Sequence, residues 1–165
     1  MLIGFRDLKT VRESNQAKTI VFCAGVFDLC HVGHISFLEK CRRLGDILVV
    51  MLGEDAVIKV LKGNHRPIIP LLARVKMVDS LKPVDYCLID LISSVEDSMA
   101  FLDPVLATLR PDIYVVGPDT LDIPRRREAC IKYGTRLEIQ ERELDKTFEP
   151  VTTSSIIEKI KNLNS

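Results

Sequence analysis

The sequence predicts an α/β fold, a parallel five-stranded sheet with helices on both faces. Two observations carry that prediction. Short apolar runs alternate with helical patterns along the chain, the arrangement that right-handed βαβ crossovers require. One run, Ile47–Leu52 (ILVVML), contains no polar residue, as a strand buried on both faces demands.

Each element can be justified in order. The first 17 residues, with Phe5, Leu8 and Val11 three apart, read as one amphipathic lead-in helix. Thr19–Cys23 is β-branched and aromatic, hence a strand. His34–Leu44 places Phe37, Leu38, Cys41 and Leu44 at helical spacing, with Gly45 as a stop. After Ile47–Leu52, a helix over Leu71–Leu81 turns Leu72, Val75 and Val78 inward between Pro70 and Pro83. Tyr86–Ile89 and Ile113–Val116 are further strands. Between them Asp103-Pro104 reads as an N-cap followed by proline, opening a helix to about Leu109. Ile123–Tyr133 is a helix stopped by Gly134, and Leu137–Gln140 a weaker fifth strand. Ser154–Asn162 is a last helix, capped by Thr153 or Ser154.

Composition narrows the function classes. The 165 residues suit one domain, 1–165, and at this length neither a second full domain nor a membrane segment is expected. Lys and Arg number 23 and Asp and Glu number 23, so the broad basic surface of a nucleic-acid or membrane-surface protein is not expected. Five cysteines, Cys23, Cys30, Cys41, Cys87 and Cys130, form no CxxC pair and read as reduced thiols of a cytoplasmic protein.

The chemistry concentrates after the first predicted strand, in AGVFDLCHVGH (Ala24–His34). A strand that turns tightly into a helix leaves unpaired N–H groups and a positive dipole end, which attract anions. His31 lies in the turn and His34 in the first helical turn, so both imidazoles can face one phosphate; Gly33 lets a ligand approach the backbone. A zinc site from Cys30, His31 and His34 would need its remaining ligands from elsewhere in the chain.

GVFDLCHVGH resembles the GxFDxxHxGH signature of the cytidylyltransferase-like nucleotidyltransferase superfamily. Further segments extend the resemblance over roughly Ala17 to Leu163: LGDILVVMLGEDAVIKVLKGNHRPIIPLLARVKMVDSLKPVDYCLI, RPDIYVVGPDT and TTSSIIEKI. They are most similar to the adenylyltransferase domain of the bacterial ADP-heptose synthases, and next to the glycerol-3-phosphate cytidylyltransferases. The resemblance implies a Rossmann-like fold. It also implies transfer of a nucleotidyl group from an NTP, ATP or CTP, to a phosphorylated small molecule such as a sugar or polyol phosphate. Under the same resemblance, pyrophosphate leaves, Mg2+ accompanies the triphosphate, and a homodimer is expected.

Site roles follow from the same resemblance. His31 and His34 bind the triphosphate and stabilise the transition state, with Lys62 near the attacking and α-phosphates. Gly25, Val26, Phe27 and Gly33 supply backbone around the nucleotide; Asp28 matches the signature aspartate, and its position in the turn favours a turn-fixing side chain over catalysis. Gly117 and Asp119 lie beside base and ribose, and Thr152, Thr153 and Ser154 meet the β- and γ-phosphates. Arg74 and Arg66 hold substrate or phosphate, and no protein metal ligand is implied.

The chain also departs from the pattern. It reads VGPD at 116–119 where the heptose domain reads KGGD, and Pro118 removes an N–H donor, so base and acceptor stay open. Lys146 and Thr147 stand where the cytidylyltransferases carry an arginine. Arg125–Arg127 read as a solvated helix face beside the glycine loop, with anion binding the alternative. Three alternatives remain: CTP-dependent transfer to glycerol 3-phosphate, a non-catalytic nucleotide-binding protein on the same fold, and, least supported, a flavodoxin-like redox protein.

Overall fold

The computed structural model describes residues 1–141 and 148–163. The elements are β1 (Leu2–Ile3), α1 (Leu8–Ser14), β2 (Ile20–Gly25), α2 (Val32–Arg43), β3 (Ile47–Leu52), α3 (Asp55–Lys62), α4 (Leu71–Asp79), β4 (Tyr86–Ile89), α5 (Leu102–Leu109), β5 (Ile113–Val116), α6 (Ile123–Tyr133), β6 (Arg136–Ile139) and α7 (Thr153–Asn162). The strands form one sheet in the order β1-β4-β3-β2-β5-β6, and every neighbouring pair is parallel.

Strand alternation sorts the core into two layers. Ile20 and Phe22 of β2 face one side, with Leu8 and Val11 of α1, Leu102, Val105, Leu106 and Leu109 of α5, and Ala129 and Cys130 of α6. Val21 and Cys23 face the other, with Leu38 and Cys41 of α2 and Val75 and Val78 of α4. β3 is buried at all six positions, as its wholly apolar run requires. All five cysteines are unpaired.

The structure revises several boundaries. The sheet has six strands because Leu2–Ile3 adds to the edge of β4, in register Leu2↔Cys87 and Ile3↔Leu88. A two-residue edge strand carries no periodicity to read. The lead-in is therefore a strand, a 3-10 turn at Phe5–Asp7 and the short α1, not one helix. α3 is an additional helix, closed by Gly63 at φ 93°. In α4 the inward stripe is Arg74, Val75 and Val78, while Leu72 is 71% exposed. α5 begins before Asp103, with Phe101 at its N-cap. Asp103 instead pairs with Lys132 at 2.6 Å and accepts from the Tyr133 hydroxyl at 2.8 Å.

This topology places the site. From β2 the chain steps to β3 and β4 on one side, then returns through β5 on the other. The C-terminal ends of β2 and β5 thus flank the topological switch point, where open parallel sheets bind ligands. Among the described residues, no helix is long and apolar enough to cross a membrane.

Candidate active site

β2 ends at Gly25, and a tight turn over 26–31 delivers the chain to α2. Phe27 (φ 52°) and Leu29 (φ 46°) both adopt the left-handed conformation, unusual for residues with a Cβ. Burial holds Phe27 there, and its ring meets His34 edge-on at 5.4 Å between centroids. Gly25 makes room for this ring, which a Cβ would approach to 2.9 Å.

His31 is the N-cap of α2. Its Nδ1 accepts from the Gly33 N–H at 3.2 Å, so the neutral ring carries its proton on Nε2. His34 lies one turn into the helix, and the two imidazoles stack 3.9 Å apart at 27°. The expected face of two adjacent histidines is therefore formed, at the N-terminus of a 12-residue helix.

Asp28 is buried beneath this turn, with its carboxylate saturated from elsewhere. It accepts from the N–H groups of Ile68 and Ile69, both at 2.9 Å, and from Arg66 Nε at 2.8 Å. Burial opposes its ionisation, but the two backbone donors and Arg66 outweigh it and hold the carboxyl below its ordinary value. Asp28 thus fixes the turn, as expected, by clamping the 66–69 segment to it. Arg66 is 15% exposed; with Nε on Asp28, its Nη nitrogens have no partner among the described residues.

Arg74 differs from expectation. Its side chain is 0% exposed, with Nε donating to Ile69 O (3.0 Å), Nη1 to Val26 O (2.5 Å), and Nη2 to Gly53 O (2.9 Å) and Asp55 Oδ1 (2.6 Å). No guanidinium surface is left for a substrate. Arg74 ties together the loops after β2 and β3, the start of α3 and the segment before α4. Asp55 was not singled out from the sequence; an acid at the first position of a helix was its only signal.

The last helix closes on the same turn. Thr153 Oγ1 donates to Asp28 O at 3.0 Å and lies 3.5 Å from His31 Nε2. Thr152 is the N-cap, one residue ahead of the expected start. In a capping box it accepts from Ser155 N (3.0 Å) while its own N–H donates to Ser155 Oγ (3.0 Å). Thr152 is thereby committed to the cap, and the N–H groups of Thr153 and Ser154 are the first-turn donors without an acceptor among the described residues. Gly33 permits this closure, since a Cβ there would stand 3.2 Å from Val151 O.

The remaining expected residues lie on other elements. Lys62 is the exposed last residue of α3, and no contact joins it to the histidines. Gly117 and Asp119 follow β5 at the switch point, in a turn closed by Thr120 N donating to Gly117 O at 3.1 Å. Lys146 and Thr147 lie outside the described residues. Among the described residues no group of three or more His, Cys, Asp or Glu could hold a metal ion.

A sheet whose strand–turn–helix signature places stacked histidines at a helix N-terminus defines a class, and comparison with known proteins identifies it. Residues 22–159 match the cytidylyltransferase-like family model, so the chain belongs to this family, a class of nucleotidyltransferases. It is 38% identical over 158 residues to the bifunctional protein HldE of Syntrophotalea carbinolica, covering 95% of this chain and 30% of that protein. It is 40% identical over 149 residues to HldE of Geobacter sulfurreducens, covering 90% and 28%. It is 42% identical over 164 residues to an HldE of Helicobacter pylori, covering 99% and 32%. The chain therefore spans about a third of the length of these relatives. Among solved structures, a lipopolysaccharide core biosynthesis protein from Thermoplasma volcanium is 27% identical with a TM-score of 0.59, over 78% of this chain and 99% of that one. Pantoate-beta-alanine ligase from Francisella tularensis, at 14% identity and a TM-score of 0.65 over 95% and 72%, shares the fold.

Proposed function

We propose that this chain transfers the adenylyl group of ATP to a heptose phosphate and releases pyrophosphate. The observation that carries the reading is the junction of two helix N-termini, α2 and α7, around His31, His34 and Thr153. Similarity to the HldE proteins along almost the whole chain supports the substrate pair.

An oxygen of the acceptor phosphate attacks the α-phosphorus of ATP in line. One P–O bond forms, the bond between the α-phosphorus and the bridging oxygen breaks, and pyrophosphate carries away the electron pair. Negative charge grows on the phosphoryl oxygens, so catalysis consists of positioning and of donors already in place. His31 Nε2–H and the His34 ring face the triphosphate. The N–H groups of Thr153 and Ser154 meet the β- and γ-phosphates. Arg66 brings its Nη nitrogens to a phosphate and Lys62 a point charge to the acceptor. Gly25, Val26, Phe27 and Gly33 supply backbone at the nucleotide, and Gly117 and Asp119 lie beside base and ribose. Arg74 positions these loops from below.

Magnesium fits as a passenger of the triphosphate, because it takes phosphate oxygens and water readily and Asp28, the buried acid of the turn, already accepts three hydrogen bonds. When bound it neutralises phosphate charge. Five unpaired thiols suit a reducing cytoplasm. A homodimer is part of the reading; exposed Val60 and Leu61 on α3 and Leu72 on α4 offer apolar surface for it, and light scattering tests it.

The experiment is pyrophosphate release with Mg2+, ATP or CTP, and a heptose phosphate or glycerol 3-phosphate, against His34→Ala. ATP with heptose phosphate is expected to be the productive pair. The variant is expected to lose about 100-fold or more, the scale of a removed transition-state donor. Preference for CTP and glycerol phosphate would move the assignment within the family. Nucleotide binding without turnover by any pair would leave a binding protein.

A further inference from the structure

Three successive arginines on α6 do three different things. Arg125 forks onto both carboxylate oxygens of Asp97, at 2.8 and 2.7 Å. Arg127 is exposed. Arg126 turns inward: Nε donates to Leu121 O at 3.0 Å, Nη1 donates to the Tyr114 hydroxyl, and the guanidinium carbon lies 5.8 Å from the Tyr114 ring centroid.

Tyr114 is a firm anchor. It sits within β5, 1% exposed, with its ring 5.2 Å from Phe22 of the neighbouring β2. Burial pushes its hydroxyl up to about 12, against the charge of Arg126, so at neutral pH the phenol is uncharged and offers a lone pair to the guanidinium. Between the two anchors runs the loop 117–122, which leaves β5 at the switch point. Within the loop, Thr120 N donates to Gly117 O, and Asp122 caps α6 by accepting from Arg125 N at 3.2 Å. Arg126 joins the loop's far end, at Leu121 O, to the sheet interior, at the Tyr114 hydroxyl.

We infer that Arg126, braced on the Tyr114 hydroxyl, is a positioning residue that sets the height of the 117–121 loop over the sheet end and so tunes affinity for the nucleoside part of the NTP. The inference rests on the functional reading above, which places Gly117 and Asp119 beside base and ribose. Pro118 has no N–H, which leaves this loop one donor fewer of its own and gives its position more weight.

The test uses the full chain with Arg126→Met, Tyr114→Phe and, as control, Arg127→Ala. Melting temperature and the KM and kcat for ATP, CTP and the acceptor are measured for each. Arg126→Met is expected to raise the KM for ATP about tenfold, the order of one charge-assisted hydrogen bond, and to narrow the ATP-over-CTP preference. Saturated kcat and the acceptor KM are expected to stay within about twofold. Tyr114→Phe, which removes one oxygen, is expected to shift the ATP KM the same way by about threefold, and Arg127→Ala to change nothing. An unchanged ATP KM in the first two variants overturns the inference, as does an equal loss in kcat and both KM values, which a general brace would give. If Arg126→Met does not fold, Tyr114→Phe decides alone. A wild-type chain that consumes neither nucleotide overturns the catalytic reading itself, visibly before any variant is made, and the positioning role falls with it.

Discussion

Thr153 Oγ1 donates a 3.0 Å hydrogen bond to the backbone carbonyl of Asp28, joining the start of the last helix to the turn after β2 across 125 residues of sequence. α7 carries no fully buried residue, so this polar contact and the approach of Val151 O to Gly33 define how the helix meets the site. Thr153→Val keeps the shape and deletes the donor. The expected result is a rise of about three- to tenfold in the KM for ATP, with the melting temperature nearly unchanged, read by steady-state kinetics beside a thermal melt.

Gly33→Ala separates activity from stability. Alanine is favoured over glycine within a helix by about 1 kcal/mol, so unfolding should be unchanged or slightly harder. The new Cβ would stand 3.1 Å from the His31 ring and 3.2 Å from Val151 O, so ring or segment must shift. Turnover is expected to fall at least about tenfold, since small misplacements near reacting groups are costly.

Arg74→Met tests the reassigned arginine. It leaves the carbonyls of Val26, Gly53 and Ile69 without their donor and Asp55 without its partner. A loss of about 3–5 kcal/mol in urea unfolding is expected, the scale of leaving several buried carbonyls without a donor. A variant of native stability that has lost only acceptor affinity would restore the substrate role.

Asp28 makes stability depend on pH. Its carboxyl lies below the ordinary value of about 3.9 when folded, so its contribution is present above that value and lost as pH falls through the lowered one. Asp28→Asn is expected to be less stable than wild type at pH 7. Urea unfolding should show the gap narrowing as the buffer is taken toward pH 3.

How much was legible in the sequence depended on where the determinants lie. β3 announced itself because a strand covered on both faces has no polar position to obscure it. The GVFDLCHVGH turn was legible because its phosphate chemistry and its backbone needs occupy ten consecutive residues. Leu2–Ile3 was not, since it is a strand only by virtue of β4 beside it. α3 stayed hidden although Val57, Ile58, Val60 and Leu61 stand at helical spacing, because an eight-residue stretch is too short for periodicity to decide between helix and strand. Arg74 resembled a substrate ligand because its carbonyl acceptors arrive from three separate loops, and no local pattern reports that. The divided labour of Arg125 and Arg126 was equally unreadable, because Asp97 and Tyr114 come to α6 only through folding.

In the proposed reaction the stacked His31–His34 pair at the start of α2 acts on the triphosphate of ATP during transfer to a heptose phosphate. The most direct measurement is single-turnover transfer of α-labelled ATP to a heptose phosphate by wild type, His31→Ala and His34→Ala. The account expects labelled nucleotide-sugar product and equimolar pyrophosphate from wild type, and rates at least about 100-fold lower in both variants with the fold intact. Variants that transfer the label at the wild-type rate would contradict it.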